Sequence, residues 1–442
     1  AAIRPPWRAP ALALQSRFGT GGDAGGDPAP VAGACSCPPE PVRAAGRPGA
    51  SRRRLDARPL AAYGKGNAGM PRASNMPRPG SGNGGSRKGP NMAEKKPIRF
   101  GAIGCGGAGT DRILQLAKHE LGVRVVAAAD IRPPRLDNLE QRLGYSFERY
   151  TGPEDYRKVI DDHDVDAVGI FTPHIPHYDH VKYAIAKKKH VLIEKPMVCG
   201  AARAIEITRL LEASGRVGIV HYQRHYEAKF VAARDLIAKG VIGEVKGFYV
   251  YMAQDWPGRE WRGQPEFSGG GQINDSGSHY QDILLWMTNL MPKSAEGFVD
   301  HWQQGSRKDV EINGMFSVQL SNGAAGRIII VGDILGGFND DVRIRGTEGD
   351  LMFMGKDLLH RPNGQQIRTV PIKMPKGYPV SPCDNFVKLI RGKSRVNRVP
   401  FIFGARVALL TEAMLRSGHQ GGAPVQCADI MAEAGLSMDA LA

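Results

Sequence analysis

Two short segments of the chain carry ionisable side chains in patterns that could move protons. Glu194 and Lys195 follow an apolar run and precede Pro196, while Asp275 and His279 stand four residues apart much later. A histidine can take up or release a proton near neutral pH, and a lysine ammonium can stabilise negative charge on oxygen. Together these residue types suit acid–base chemistry at a hydroxyl or carbonyl group.

The second segment has helical spacing. Asp275, His279 and Asp282 are placed i, i+4 and i+7, so on one continuous helix they would share a face. Leu285 and Trp286 continue that face with apolar side chains, which predicts a helix with a polar start and a buried remainder. Taken alone, the pattern is more typical of a helix cap and a hydrogen-bonded histidine than of a catalytic site.

A glycine-rich turn follows the first apolar run of the body. Residues 98–103 predict a buried strand, and Gly104, Gly106 and Gly109 complete a GxGxxG pattern that also contains Gly107. The first glycine permits a tight turn, the second lets the backbone approach a pyrophosphate, and the third lets helix and strand pack closely. Because a helix N-terminus also attracts phosphate, the segment predicts a dinucleotide site.

A carboxylate stands where such a site would need one. The second apolar run, residues 123–129, ends in Asp130, which would accept hydrogen bonds from a ribose diol and disfavour a 2′-phosphate. We therefore predict NAD as the cofactor. Arg132 and Arg135 follow closely, so NADP stays open as the alternative.

Strand-like and helix-like segments keep alternating through residue 220, which predicts an α/β fold built on a doubly wound parallel sheet. Ligands of such sheets bind at the carboxyl ends of the strands, where Thr172, Pro173 and Glu194 stand. The further predicted strands cover residues 166–172, 190–194 and 217–220, and the predicted helices include residues 181–186 and 201–213.

Four motifs follow one another in order: GxGxxG, Thr172-Pro173 with His177, Glu194-Lys195-Pro196, and glycines 269–271 followed by Asp275, His279 and Asp282. Together they resemble the glucose–fructose oxidoreductase/inositol dehydrogenase/MocA family over about residues 96–425. The resemblance implies a Rossmann domain followed by an α+β domain with a large, mainly antiparallel open sheet. It also implies an NAD(P)-dependent oxidoreductase that transfers a hydride between nicotinamide and a secondary alcohol of a sugar, polyol or sugar derivative.

The resemblance assigns roles to these residues. Lys195, Asp275 and His279 would be catalytic, with His279 as general base or acid, Lys195 polarising the oxygen, and Asp275 contacting substrate hydroxyls or tuning the histidine. The reverse assignment, with Lys195 as the base, stays open, and we expect a cis Lys195–Pro196 bond. The implied cofactor-binding residues are Gly104, Gly106, Gly107, Gly109, Asp130, Thr172, Pro173, His177, Glu194 and Lys195.

A loop rich in aromatic and guanidinium groups precedes the glycine run. Trp256, Arg259, Trp261 and Arg262 would suit a sugar or sugar-nucleotide, and an ordinary surface loop explains them equally well. The other predicted substrate contacts are Arg224 and Asp282.

Three histidines recur every third residue, which invites a zinc assignment. His174, His177 and His180 are interrupted by prolines, however, and no cysteine or acid completes a tetrahedral set. No metal site is therefore predicted, and His177 is expected beside the nicotinamide.

Charge and composition divide the chain into a tail and a body. Of 59 basic and 44 acidic side chains, residues 1–92 hold 14 and 4, so the net charge of +15 divides into +10 for the tail and +5 for the body. The Gly- and Pro-rich tail is predicted to be disordered. The body is predicted to contain a dinucleotide-binding domain at 96–221, a substrate and oligomerisation domain at 222–382, and closing helices at 383–442.

The second domain shows strand patterns at residues 247–252, 316–320, 326–331 and 341–345. Because no crossover helix intervenes after about residue 295, we expect antiparallel pairing. Residues 383–389 and 405–416 are predicted to be the closing helices, and the family resemblance implies a homo-oligomer, a dimer or a tetramer.

The tail has three interpretations: a basic arm attracted to RNA or membranes, a targeting peptide, or sequence upstream of a translation start near Met92, which we favour. Six scattered cysteines without a CxxC pair suit a reducing compartment. With no apolar run of about 18 residues and no signal peptide, a cytoplasmic location is expected. A sugar or polyol is the expected partner, and neither nucleic acid nor a membrane is.

Two other functions stay open on the same architecture. A redox-assisted glycosidase would keep its nicotinamide and return it unchanged in each turnover. A regulatory protein would bind the cofactor without chemistry, although the presence of Lys195, Asp275 and His279 speaks against it.

Overall fold

The computed structural model describes residues 96–162, 164–300 and 310–442. The predictions made for residues 1–92, a disordered tail and a start near Met92, lie outside the described residues. The described chain forms two sheets and the helices that cover them.

The first sheet has six parallel strands in the order β3-β2-β1-β4-β5-β6. Helical crossovers cover both faces, so β1, β4 and β5 are almost wholly apolar and buried. The strand order reverses between β1 and β4, which opens a crevice at their carboxyl ends. The strands are β1 (Ile98–Ile103), β2 (Val123–Ala129), β3 (Glu148–Tyr150), β4 (Ala167–Ile170), β5 (His190–Ile193) and β6 (Gly218–Val220).

Five helices accompany this sheet, and their buried faces explain where they pack. In the first of them Ile113 and Leu116 stand one turn apart and are both fully buried. The parallel sheet and the helices that alternate with its strands confirm the predicted doubly wound fold. The helices are α1 (Gly107–Ala117), α2 (Pro133–Leu143), α3 (Tyr156–Asp161), α4 (His177–Ala186) and α5 (Ala201–Ser214).

The second sheet has nine strands in the order β14-β13-β12-β11-β7-β10-β9-β8-β15. The prediction of a mainly antiparallel sheet is confirmed, but antiparallel pairing throughout is wrong, because β7 and β10 are parallel. The strands are β7 (Val245–Ala253), β8 (Pro292–Asp300), β9 (Asn313–Leu320), β10 (Ala325–Val331), β11 (Asn339–Gly346), β12 (Gly349–Met354), β13 (Asp357–Pro362), β14 (Arg368–Thr369) and β15 (Val425–Gln426).

The helices of this half explain the parallel pair. After β7 the chain passes through α7 and α8 and enters the sheet at β8, two strands beyond β10. It then returns through the antiparallel strands β9 and β10, so that β10 lies beside β7 and parallel to it. The longest helix, α10, packs against α5, α8 and β8, so it joins the two halves of the core. The helices are α6 (Ala228–Ala238), α7 (Pro265–Ser268), α8 (Ser278–Thr288), α9 (Pro382–Ile390), α10 (Phe401–His419) and α11 (Cys427–Glu433).

Residues 96–162, 164–300 and 310–442 bear on the expectations for membrane-spanning helices and for cysteines. No helix there is both long and apolar enough to cross a membrane. The cysteines there are all free, and three of them, Cys105, Cys383 and Cys427, are buried.

Candidate active site

The two ionisable segments of the sequence meet in an ion pair. Lys195 Nζ donates to Asp275 Oδ1 at 2.6 Å and to the Asp275 carbonyl oxygen at 3.1 Å. Their side chains are only 15% and 7% exposed, so solvent screens the pair weakly. The pair connects the end of β5 with the turn before α8.

The turn that carries Lys195 is held from a neighbouring strand end. The Lys195–Pro196 bond is cis, as predicted. The imidazole of His177 lies between the carbonyl oxygens of Thr172 and Pro196, at 2.9 and 3.0 Å. Because the ring of His177 is completely buried, it joins the ends of β4 and β5 and offers no surface to a nicotinamide, contrary to the expectation.

Asp275 is surrounded by donors. Its Oδ2 accepts hydrogen bonds from Trp256 Nε1 at 3.0 Å and from Arg262 Nε at 3.1 Å, and His174 Nε2 lies 3.8 Å from Oδ1. Burial alone would raise the pKa of Asp275, but the charge of Lys195, followed by His174 and Arg262, outweighs burial and holds that pKa well below its usual value. The carboxylate is thus ionised at neutral pH.

These contacts add partners to those expected for Asp275. Its Oδ1 accepts from Lys195 and its Oδ2 accepts from Arg262, so the carboxylate is placed to hold both cations. Its charge also acts on His279, whose pKa it raises against the larger lowering effect of burial. Sequence reasoning identified the residue but missed these partners.

The predicted helix face is wrong in its details. Helix α8 begins at Ser278, so Asp275 lies in the preceding turn. Asp282 faces the core, where it is 1% exposed and bonded to His225 Nε2 at 2.8 Å. A buried carboxylate needs such a partner, which explains why Asp282 is not available as the predicted substrate contact.

The glycine run before α8 permits a close approach that positions Asp275. Gly271 N–H donates to Glu311 Oε1 at 2.6 Å, and a Cβ on Gly271 would lie 1.9 Å from the Glu311 carbonyl oxygen. Only glycine fits there. Burial raises the pKa of Glu311 to about 7. No sequence pattern marks this carboxylate, which was missed.

His279 presents a neutral imidazole. Within the described residues its buried Nδ1 has no hydrogen-bond partner, and its ring meets Tyr222 edge-on at a centroid distance of 6.1 Å. Burial, reinforced by the charges of Lys195 and Arg224, lowers its pKa well below the usual 6.5. The ring is therefore able to accept a proton at neutral pH.

A further histidine stands at the end of β6. His221 is 3% exposed, its Nδ1 is 3.5 Å from Glu194 Oε1, and neither ring nitrogen has a hydrogen bond within the described chain. Burial lowers its pKa to about 4. Glu194 also accepts from Arg112 Nε on α1 at 3.2 Å. The strand-end rule that singled out Glu194 could have found His221.

The glycine turn fits a dinucleotide. Gly104 has φ +87°, and a Cβ on Gly109 would lie 2.4 Å from the Gly104 carbonyl oxygen, so the turn and the start of α1 are in close contact. Nothing lies within 4 Å of a Cβ placed on Gly107, which leaves the helix N-terminus open. Gly106 Cα likewise has room on that side, with only the Arg135 side chain nearby.

Asp130 lies beside that turn. Its Oδ2 accepts the Cys105 N–H at 2.7 Å and its Oδ1 accepts the Arg132 N–H at 2.9 Å, which fixes the carboxylate at the end of β2. The half-buried Thr172 and Pro173 stand at the end of β4 across the crevice. Together with the open helix N-terminus, these residues fit the diol, pyrophosphate and ring of a nicotinamide dinucleotide.

The two arginines that could admit NADP are occupied by another segment. Glu260 bonds Arg132 Nη1 at 2.9 Å and Arg135 Nη2 at 3.4 Å. Arg135 also lies 3.6 Å from Asp130. Glu260 therefore competes with any 2′-phosphate for both guanidinium groups.

We predict that Glu260→Gln shifts cofactor preference towards NADPH. Loss of a half-exposed carboxylate should change the ratio of the NADPH and NADH dissociation constants by about two- to fivefold. Nicotinamide fluorescence titrations of both cofactors measure that ratio, with Glu266→Gln as the control. An unchanged ratio would show that Glu260 has no part in selectivity.

The aromatic loop is arranged differently from a sugar platform. Trp256 is 3% exposed and serves Asp275, so it cannot stack on a ligand as predicted. Trp261 meets His174 edge-on at 4.6 Å, and Arg262 lies over the Trp261 ring at 4.5 Å. Arg259 is exposed, and Arg224 lines a separate cleft.

The three histidines at positions 174, 177 and 180, for which no metal site is predicted, have different partners. His174 Nδ1 lies 3.0 Å from the Ser268 carbonyl oxygen, and His180 Nδ1 lies 3.2 Å from Thr172 Oγ1. Among the described residues no three His, Cys, Asp or Glu side chains are grouped to hold a metal ion.

Comparison with known proteins identifies relatives of both halves. Residues 98–222 match the GFO/IDH/MocA "Oxidoreductase family, NAD-binding Rossmann fold", and residues 230–352 match the GFO/IDH/MocA C-terminal domain. An inositol 2-dehydrogenase of Ralstonia nicotianae is 31% identical over 192 residues, covering 43% of this chain and 54% of the relative. An inositol 2-dehydrogenase/D-chiro-inositol 3-dehydrogenase of Lactiplantibacillus plantarum is 27% identical over 199 residues, covering 45% and 54%.

The matched region spans about half the length of these curated relatives. A solved inositol dehydrogenase homolog complexed with NAD+ from Azotobacter vinelandii shares the fold, with a TM-score of 0.65 and 21% identity over 75% of this chain and 98% of that chain. The two consecutive family matches cover the six-stranded sheet, which holds the glycine turn, and most of the nine-stranded sheet. The chain therefore belongs to the GFO/IDH/MocA family of oxidoreductases, whose N-terminal part is an NAD-binding Rossmann fold.

Proposed function

We propose that the chain is an NAD(P)-dependent oxidoreductase that transfers a hydride between the nicotinamide and a secondary alcohol of a sugar, polyol or sugar derivative. The observation that carries the proposal is the buried Lys195–Asp275 pair beside the neutral imidazole of His279, at the strand ends of a dinucleotide-binding sheet. Relatives named inositol dehydrogenases support a cyclic polyhydroxylated substrate.

The proposed chemistry assigns one task to each side chain. The bound cofactor supplies the acceptor for the hydride that leaves the carbinol carbon. His279, neutral because its pKa is lowered, takes the hydroxyl proton. Lys195 stabilises the negative charge that develops on the substrate oxygen. Asp275 holds the ammonium group in place through the 2.6 Å contact.

The same contact favours His279 over Lys195 as the base. An ammonium group that donates to a carboxylate has no lone pair with which to accept a proton. Trp256 and Arg262 keep that carboxylate in position from the opposite side. Lys195 is accordingly proposed as the electrostatic partner and His279 as the acid–base group.

The direct test is net cofactor reduction. Purified protein is mixed with NAD+ or NADP+ and a panel of inositols, sugars and sugar-nucleotides, and near-ultraviolet absorbance is followed. A rise with at least one compound supports the proposed oxidoreductase and shows which cofactor it prefers. A flat trace across the panel, with NADH binding verified by fluorescence, would favour the glycosidase or the regulatory protein.

We also propose a homo-oligomer that forms through the outer face of the nine-stranded sheet. Neighbouring strands place Phe298 opposite Met315, and Ile329 opposite both Met315 and Tyr251. Phe298 is 63% and Met315 is 47% exposed, which makes a contiguous apolar patch of the kind that marks protein interfaces.

Met315→Lys is expected to lower the molar mass in solution, because it buries a charge in that interface. Size-exclusion chromatography with light scattering provides the measurement. Val380→Lys, at a 76% exposed position outside the sheet, serves as the control. An unchanged mass for Met315→Lys would place the interface elsewhere.

A further inference from the structure

One arginine in direct contact with the candidate active site leaves most of its hydrogen-bond donors unused. Arg262 belongs to a single 3₁₀ turn, Glu260–Gly263, and its Nε donates to Asp275 Oδ2 at 3.1 Å. Its terminal nitrogens, Nη1 and Nη2, have no hydrogen-bond partner among the described residues and are not buried, since 42% of the side chain is exposed. Both nitrogens are therefore able to meet a ligand that enters from solvent.

Contacts on several sides hold this guanidinium group in place. It lies over the Trp261 ring, 4.5 Å from the ring centroid, and that ring meets His174 edge-on at 4.6 Å. Glu260, the acid of the same turn, is engaged with Arg132 at 2.9 Å. A guanidinium group whose orientation is already fixed loses less entropy when it binds a ligand.

A single carboxylate joins Arg262 to Lys195. Lys195 Nζ donates to Asp275 Oδ1 at 2.6 Å while Arg262 Nε donates to Oδ2, so the two nitrogens are no more than about 8 Å apart. Two of the three ammonium hydrogens of Lys195 are engaged with Asp275, which leaves one for a substrate oxygen. One sugar-sized molecule can therefore place a hydroxyl on Lys195 and another group on Arg262.

The unused hydrogen-bonding capacity of the two cations calls for acceptors. Lysine and arginine carry donors only, and both oxygens of Asp275 already accept hydrogen bonds. Lys195 and Arg262 bring two positive charges against the one negative charge of Asp275. Burial lowers the pKa of the neighbouring His174 to about 3, so that ring adds no charge at neutral pH. An anion that only accepts hydrogen bonds matches this set better than a hydroxyl group, which must also donate.

Among anions, a carboxylate fits a single guanidinium group. The two terminal nitrogens of arginine lie in one plane and can donate in parallel to the two oxygens of a carboxylate. One positive charge is in excess at Lys195, Arg262 and Asp275, and a carboxylate carries one negative charge. A phosphate monoester carries nearly two at neutral pH and would leave one of them unbalanced.

We propose that Arg262 binds a carboxylate group of the substrate, so that the substrate is a sugar acid. Its terminal nitrogens donate to the two carboxylate oxygens, while the remaining hydrogen of Lys195 meets the hydroxyl that is oxidised. The proposal rests on the proposed function, because the hydroxyl and the carboxylate belong to one molecule. Arg262 thereby selects an acid over the neutral sugar with the same ring.

Calorimetric titration of the full chain saturated with NADH tests the proposal with matched ligands. Each pair holds a neutral compound and the acid that differs from it at one carbon: methyl β-glucoside and methyl β-glucuronide, methyl β-galactoside and methyl β-galacturonide, glucitol and gluconate. At least one acid should bind about tenfold more tightly than its neutral partner, because hydrogen bonds between charged groups are strong. Arg262→Gln should remove that preference and change the binding of NADH and of the neutral compound by less than about twofold.

Arg157→Gln is the matched control. Arg157 Nε donates to Glu154 Oε2 at 3.1 Å, and its guanidinium group lies over the Tyr183 ring at 4.6 Å. Its side chain is 47% exposed, close to the value for Arg262. Because Arg157 lies on α3 and its carboxylate partner is Glu154, this variant should keep the preference for the acid.

These titrations do not depend on turnover, since NADH cannot accept a hydride from the alcohols. A preference that Arg262→Gln removes and Arg157→Gln keeps supports the proposal even if no compound reduces NAD+. If Arg262→Gln does not bind NADH, Arg262→Lys decides, because it keeps the charge beside Asp275 but lacks the planar pair of donors and should also lose the preference.

The proposal is overturned if no acid binds more tightly than its neutral partner. It is equally overturned if the preference survives in an Arg262 variant that binds NADH. Reduction of NAD+ by neutral sugars without any preference for acids would overturn the carboxylate site and leave the proposed oxidoreductase standing.

Discussion

Replacing Lys195 with methionine is expected to lower kcat by about 10²–10³ while leaving NADH affinity within about twofold. Methionine keeps most of the length of the side chain but removes the ammonium group that would stabilise the substrate oxygen. It also leaves the Asp275 carboxylate with Trp256 and Arg262 as its remaining close donors. Rates of NAD+ reduction and fluorescence titration with NADH separate the two effects.

A matched lysine is available as the control. Lys182 is a half-exposed residue of α4 that pairs with Glu206 on the neighbouring helix α5, away from both strand ends of the site. Lys182→Met should retain the rate of the wild type. A Lys195→Met variant that turns over like Lys182→Met would remove Lys195 from the mechanism.

His279→Ala is expected to lower kcat by about 10²–10⁴, the usual contribution of a general acid–base group. Added imidazole should restore part of this rate, because the substitution leaves a ring-sized space beside Tyr222. Imidazole should not restore Lys195→Met, whose defect is a lost charge. A variant with the rate of the wild type, or rescue of both variants alike, would contradict the assignment of the base.

The lowered pKa of His279 also predicts how kcat/KM depends on pH. Burial and the charges of Lys195 and Arg224 lower the pKa of His279, so the ring stays neutral as the pH falls through 6.5. A base acts in its unprotonated form, so kcat/KM in the wild type should stay level near pH 6.5 and decline only in more acidic solution. If kcat/KM instead begins to fall while the pH is still above neutral, the base is another group, with Lys195 the first candidate.

The first sheet was largely predictable from sequence because its strands are buried on both faces. The predicted strands at 98–103 and 123–129 coincide with β1 and β2. Continuous apolar runs that end in glycine or aspartate leave little freedom in where such strands stop. Helix α10 proved longer than predicted, Phe401–His419 instead of 405–416, because its ends pack on the core as well.

The second sheet was harder because several of its strands lack an alternating apolar pattern. In β8 the inward positions include Ala295 and Gly297, which are too small to produce one. In β12 Asp350 is buried because Arg345 and Arg361 neutralise it, so a charged residue occupies a core position. Such strands are defined by long-range pairing that a local pattern does not contain.

In the candidate site, likewise, the sequence identified residues but not the contacts between them. The motifs identified Lys195, Asp275 and His279, because strand ends and the family pattern mark them. They did not show that Asp275 accepts a hydrogen bond from Lys195, since the two residues are 80 positions apart in sequence. Glu260 and Glu311 were missed for the same reason, because each acts only through a segment distant in the chain.

Near-ultraviolet absorbance of the wild type and Lys195→Met, assayed side by side with NAD+ and the sugar panel, tests whether the chain transfers a hydride through Lys195. We expect net NADH formation by the wild type with at least one sugar or polyol, and loss of that signal in Lys195→Met despite normal NADH binding. A wild type that binds NADH yet never reduces NAD+, or equal rates in the two proteins, would contradict this function.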